Sequence, residues 1–217
     1  MVFMLHMADE NSELDESKLS ILRKRVRSLF SNIERNITTL YQEDEDYVRL
    51  SLPISKAEEL AVEKLENYIA THKINVYMRK AEKDDIPCIN EIYHKSWFAS
   101  KLPMKNVTEE LFMEIFEDPD TRFLIAEMDS QDVGFILVEF NKLNREIGLI
   151  SGLGVLPEYQ GKGLGKYLAL EAWNFFKDKG IKELRCEVYE KNEVAISFIK
   201  SLGFEEYGSS EGIFTLK

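Results

Sequence analysis

Eight residues, Tyr159 to Lys166, read YQGKGLGK. Within them Gln160, Gly163 and Gly165 make a Q-x-x-G-x-G pattern, interleaved with Gly161, Lys162 and Leu164 and closed by Lys166. Glycine clears Cβ atoms from the backbone, so a bulky anion can come close to successive N–H donors. The apolar run YLALEAWNFF follows at once and predicts a helix from Gly165 to about Lys179. The corner therefore stands at the positive end of a helix dipole, with unpaired donors facing outward. Lys162 and Lys166 add charge at the rim. That combination suits a diphosphate.

Several unrelated machines use glycine corners, and the spacing separates them. A P-loop requires G-x-x-x-x-G-K-[ST]; here Gly165-Lys166 is followed by Tyr167, which brings no metal-binding hydroxyl. The dinucleotide fingerprint G-x-G-x-x-G would need glycine at Lys166 or at Pro157. A G-x-S-x-G elbow is absent from GLISGLG, and the three histidines, His6, His72 and His94, are scattered.

The corner needs a strand before it and a scaffold around it. REIGLISGLGVL supplies the strand, with Gly148, Gly152 and Gly154 on one parity; so many glycines point to a bulge or to close backbone approach. Upstream, RFLIAEM and VGFILVEF read as two strands joined by the turn DSQD, and KINVYMRKA as a strand near 74–80. Helices are expected at 84–98 and 108–117, joined by the loop ASKLPMKNVT. After the corner, Gly180 is placed to end the long helix. KELRCEVYE then alternates so as to bury Leu184, Cys186 and Val188, a short helix spans 192–201, and FEEYG and GIFTLK are candidates for two last strands. Ahead of residue 74, Leu19, Leu22, Val26, Leu29, Ile33, Ile37 and Leu40 predict an amphipathic helix over 16–41. YVRLSLP alternates like a strand, and Ser55 with Glu58 forms an S-x-x-E capping box for a second helix carrying Leu60, Leu65, Tyr68 and Ile69.

The chain has 217 residues, 44% of them hydrophobic, and a formal net charge of −11. Acidity disfavours nucleic acid and anionic membrane surfaces and is compatible with a cationic partner such as an amine. Two distant cysteines, Cys88 and Cys186, imply neither a disulfide framework nor a zinc site. No apolar run approaches the ~18 residues of a membrane span. The start MVFMLHMADE does not read as a signal peptide. The expectation is a cytoplasmic protein with no metal.

With the strand LGVLPEY before it and the helix after it, Q-x-x-G-x-G resembles the pyrophosphate-binding motif of the GNAT superfamily of N-acetyltransferases. Downstream, NEVAISFIKSLGFEEYG is similar to the family's second signature, with Asn192, Ala195, Phe198, Gly203 and Phe204 matching, and VYMRKAEKDDIPCINEIYHKSW looks like its first strand and helix. The resemblance covers about residues 74–217 and implies an α+β fold. Its central sheet would be mixed and mostly antiparallel, with helices on both faces and one splayed strand pair. Residues 1–73 then form an N-terminal helical extension, packed on the core or on a second copy in a homodimer. The resemblance also implies acetyl-CoA as co-substrate. Gln160, Gly161, Lys162, Gly163, Leu164, Gly165 and Lys166 would take its diphosphate, and Leu153, Gly154 and Val155 its pantetheine arm. Asn192 and Phe198 complete the cofactor set, and the backbone N–H near Leu153 would hold an oxyanion.

Two features depart from the family. Seven residues after the motif's asparagine the family often has a tyrosine acid; here stands Ile199. The entering strand often carries a glutamate; LISG offers only Ser151. Tyr189 and Glu187, sharing one face of the next strand, are the remaining catalytic candidates. A thiol's pKa near 8.5 makes its thiolate a fair leaving group without an acid. A missing base matters more. A lysine-like amine is neutral only about 0.04% of the time at pH 7, whereas an α-amine is neutral about 10–15% of the time. The expected reaction is acetyl transfer to a primary amine, either the α-amine of a peptide or a small-molecule amine. The alternative is an acetyl-CoA-binding sensor with degenerate catalysis. A scaffold role for residues 1–73 is a third reading. The loop SWFASKLPMKN would shape the acceptor site, and its sequence does not name the acceptor.

Overall fold

The computed structural model describes residues 47–72, 74–100 and 108–207. The helix expected at 16–41, most of the loop before residue 108 and the segment GIFTLK lie outside the described residues. Among the described residues seven strands form one sheet in the order β2-β3-β4-β5-β6-β1-β7. They are β1 (Tyr47–Pro53), β2 (Tyr77–Lys80), β3 (Thr121–Met128), β4 (Gln131–Phe140), β5 (Ile147–Val155), β6 (Glu183–Tyr189) and β7 (Glu205–Glu206). β5 and β6 pair in parallel and every other neighbouring pair is antiparallel. The β3–β4 hairpin turns on Asp129 and Ser130, both at positive φ (51° and 62°), in the short polar stretch expected to turn.

The sheet crosses the expected division at residue 73/74. β1 lies between β6 and β7, with Tyr47 opposite Tyr189 and Pro53 opposite Glu183, so residues from the N-terminal side are built into the same sheet. The helix after it, α1, runs without a break through Ile54–Lys56, a π-helical Ala57–Val62 and Glu63–Thr71. It does not start with the expected capping box: the N-cap is Pro53, ahead of Ser55, and no side chain caps it. Strand pairing has set the helix start, because Ile54 N–H already bonds to the Lys182 carbonyl beside β6.

Two cores sandwich the sheet. On one face α1 and α4 (Leu164–Lys177) bury Leu50, Leu52, Leu65, Leu168, Ala172 and Phe176, and Ile199 of α5 (Glu193–Ser201) joins them. On the other, α2 (Ile86–Ser100) and α3 (Glu109–Glu117) pack Ile89, Tyr93, Phe112 and Ile115 on Phe123, Phe135 and Leu137. Leu184, Cys186 and Val188 face the α4 side as expected, with Val188 only half-buried. α4 ends at Asp178 rather than at Gly180, although Gly180 still takes the left-handed conformation (φ 72°). Both cysteines are free. Among the described residues no helix is long and apolar enough to cross a membrane, and no cluster of three potential metal ligands forms.

Candidate active site

β5 and β6 are paired only from Ile147 to Ile150, opposite Glu183 to Cys186. Beyond that point they part. β5 runs on to Val155 along β4, and β6 runs on to Tyr189 along β1. The gap between them begins at a bulge. Leu137 of β4 faces Gly152 and Val138 faces Ile150, so Ser151 is the extra residue. Leu153, Gly154 and Val155, the residues expected beside a pantetheine arm, border this gap. The strand glycines also serve packing. A Cβ on Gly154 would come within 2.7 Å of the Phe135 ring, and one on Gly148 within 3.0 Å of both Phe176 and Leu184.

At the end of β5 the chain makes a 3-10 turn, Pro157–Tyr159, and then the glycine corner. Gln160 closes the turn from inside, its amide Nε2 donating to the Val155 carbonyl at 2.9 Å. Gly161 and Gly163 both have left-handed backbones (φ 72° and 91°), which a residue with a Cβ adopts only at a cost, and Gly163 is the N-cap of α4. Among the described residues, none of the N–H groups of Gly161, Lys162, Gly163, Leu164 and Gly165 meets a carbonyl or side-chain acceptor. The Lys166 N–H, expected to belong to the same set, is taken by the Gly163 carbonyl at 2.9 Å. Leu164 is 1% exposed, so it offers a site only its backbone.

The three glycines differ in what fills the room left by their missing side chains. A Cβ on Gly161 would meet nothing within 4 Å. One on Gly165 would press on Phe198 Cζ at 3.0 Å, and one on Gly163 on the Tyr68 hydroxyl at 2.8 Å. The open cradle is thus on the Gly161 side. It offers donor N–H groups, a helix N-terminus and Lys162, whose ammonium hangs over the Tyr159 ring at 4.9 Å. These features fit a diphosphate. Asn192 caps α5, its Oδ1 accepting the Ala195 N–H at 3.1 Å, and so orients the helix that brings Phe198 to Gly165.

The two catalytic candidates sit on the β6 face opposite Cys186. Tyr189 is buried, its ring 5.9 Å from that of Tyr47. Glu187 lies 3.6 Å from the Arg49 guanidinium on β1. Tyr93, against the same face, is held above its ordinary pKa by burial and by Tyr47. Sequence reasoning missed a further carboxylate. Glu139 of β4 is only 4% exposed, and it accepts a hydrogen bond from the bulged Ser151 at 2.5 Å. The entering strand carries no carboxylate of its own, but its neighbour places one beside the bulge where the strands part. Ile199, at the position where the family often has an acid, is a core residue.

An acetyltransferase (GNAT) family model matches residues 86–204. An uncharacterized N-acetyltransferase of Methanocaldococcus jannaschii is 29% identical over 64% of this chain and 63% of its own length. The spermidine N(1)-acetyltransferase of Thermoplasma acidophilum is 32% identical over 61% and 89%. This chain thus spans less than two thirds of the first of these relatives. Among solved structures, the PaiA N-acetyltransferase of Thermoplasma acidophilum in complex with coenzyme A superposes with a TM-score of 0.53, at 26% identity, over 59% of this chain and 88% of that one. The parted strands and the glycine corner fall inside the matched span, and the chain belongs to the GNAT family of acetyltransferases.

Proposed function

We propose that the chain moves the acetyl group of acetyl-CoA to a primary amine, with a small cationic amine as first candidate, and that Glu139 receives the amine's proton. The observation that carries this reading is the buried Glu139 carboxylate bonded to Ser151 at the point where β5 and β6 part. Acetyl-CoA supplies an activated thioester. The chain supplies the rest. The N–H groups of Gly161 to Gly165 hold the diphosphate, the free edge of β5 from Leu153 to Val155 orients the arm, and a backbone N–H near Leu153 meets the developing oxyanion. As a carboxylate beside the parted strands, Glu139 offsets the handicap that a base-poor site imposes on amines of high pKa. The net charge of −11 favours cations, and one relative bears the name of spermidine. Thiolate departure needs no dedicated acid, consistent with Ile199.

The test is release of free coenzyme A from acetyl-CoA across a panel containing spermidine, smaller diamines and alanine-initiated peptides. Turnover with spermidine or a diamine above that with the peptides is expected. Peptides turned over best would move the acceptor to an α-amine. Tight acetyl-CoA binding with no turnover on any amine would revive the sensor reading.

A further inference from the structure

α1 lies outside the span matched by the family, yet it reaches the glycine corner. Tyr68, near its C-terminal end, sets its hydroxyl 2.8 Å and its ring edge 2.9 Å from the point a Cβ on Gly163 would occupy. The Lys166 ammonium stands 3.3 Å from the centroid of the Tyr68 ring. His72 stacks on the same ring at 3.9 Å with the planes 15° apart, so lysine and imidazole hold opposite faces. The His72 Nδ1 also lies 2.9 Å from the Tyr68 carbonyl, which ties the stack to the helix end. Among the described residues the Tyr68 hydroxyl makes no hydrogen bond. The Tyr68 hydroxyl, the Lys166 ammonium and the donor N–H groups of Gly161 to Gly165 thus gather at one corner.

We propose that Tyr68 is a binding residue for the donor's diphosphate: its hydroxyl donates a hydrogen bond to a phosphoryl oxygen, and its ring fixes Lys166 beside it. The proposal rests on the reading of acetyl-CoA as donor. The geometry leaves room for it. The Gly161 side of the corner is open, so the diphosphate enters there and Tyr68 walls the Gly163 side. A phenol is uncharged at neutral pH, so it can donate to an anion without a desolvated charge of its own. A cation over an aromatic face is held more firmly when water is excluded. The N-terminal segment then does more than cover the sheet, because it completes the cofactor site.

The experiment uses the full chain with two acetyl donors, acetyl-CoA and acetyl-pantetheine, which lacks the diphosphate. Tyr68→Phe keeps the ring and its hold on Lys166 and removes only the hydroxyl. It should weaken acetyl-CoA binding by calorimetry about tenfold, the effect of one hydrogen bond to a charged group. Tyr68→Leu, which also frees Lys166, should weaken it further. Neither variant should change kcat/KM for acetyl-pantetheine by more than about twofold, since an uncharged arm makes no use of the corner. Thermal melts confirm that both variants fold. An unchanged acetyl-CoA affinity in Tyr68→Phe overturns the proposal and leaves the donor reading intact. Tighter binding in Tyr68→Leu also overturns it, because the ring would then be a plug. A parent chain that binds no acetyl-CoA overturns the donor reading itself.

Discussion

Phe198 rests its ring end on Gly165, so close that a Cβ there would lie 3.0 Å from Cζ. The two residues belong to sequence signatures some thirty positions apart, and this contact is where the signatures meet. Gly165→Ala should therefore press α5 away from α4. Overpacking of this kind costs about 1–3 kcal/mol, with a matching fall in thermal stability and weaker acetyl-CoA binding. Adding Phe198→Leu should restore part of both losses. Melting curves and calorimetry on the single and double variants check it; strictly additive losses would show that the contact is not the link.

Glu139→Gln keeps the size of the side chain and its bond to Ser151 but removes the proton acceptor. A positioned general base contributes about 10²–10⁴-fold, so kcat/KM should fall at least about a hundredfold while the acetyl-CoA affinity stays as it was. In the parent, kcat/KM should level off at one pH for two acceptors of different pKa. In the variant it should climb toward each acceptor's own pKa. A variant as active as its parent would place the base elsewhere.

At Gly161 the missing side chain faces open space, but the backbone is left-handed. Asn and Asp tolerate that conformation better than other residues. Gly161→Asn and Gly161→Asp should therefore lose similar stability, whereas the aspartate alone sets a negative charge in the cradle. Acetyl-CoA binding should weaken about tenfold more in the aspartate variant, on the scale of a like charge near a phosphate in high dielectric. Equal affinities would move the diphosphate away from this corner.

Arg79 of β2 ties β4 to the start of α2, donating to Asp85 at 2.6 and 2.9 Å and to Asp132 at 2.8 Å. The guanidinium's hydrogen bond holds the Asp85 carboxyl below its ordinary value, against the opposing effect of burial. A depressed pKa means stability that is present above the ordinary carboxylate range and lost as pH falls through the lowered value. Arg79→Met should cost about 2 kcal/mol at neutral pH, the scale of charge-assisted hydrogen bonds. The gap between parent and variant should narrow below about pH 3.8, the ordinary carboxylate value. Urea titrations at pH 7 and pH 3 measure it; a gap independent of pH would assign the effect to packing.

Much of the fold was legible because short-range patterns carry it. Apolar strand-like runs marked β3 to β5, alternation marked β6, apolar runs marked the helices α2, α4 and α5, and the polar DSQD stretch marked a turn that the chain makes. The glycine corner was legible because its spacing excludes rivals. Other features depend on what meets what across space. YVRLSLP read as a strand, but nothing local says that it pairs with β6. Gly163 and Gly165 read as clearings for phosphate, and the rings of Tyr68 and Phe198 that fill those clearings come from distant segments. Glu139, inside LVEF, stood out in no local pattern; the bulge at Ser151 brings a bond to it at the parted strands. One signal was available: a carboxylate among apolar neighbours on a strand that must lie in the middle of a sheet.

The place of β1 also bears on how the protein is made. Its partners, β6 and β7, leave the ribosome long after it does, since they come from the other end of the described chain. Until then Leu50 and Leu52, both buried in the finished sheet, have no strand beside them. Pairing at such sequence distance closes late and slowly. The nascent chain therefore carries an unpartnered apolar strand through most of its synthesis, the condition under which chaperones engage and truncated products aggregate. A chain halted before residue 183 would lack the strand on which β1 zips, so pairing of β1 waits for nearly the whole described chain.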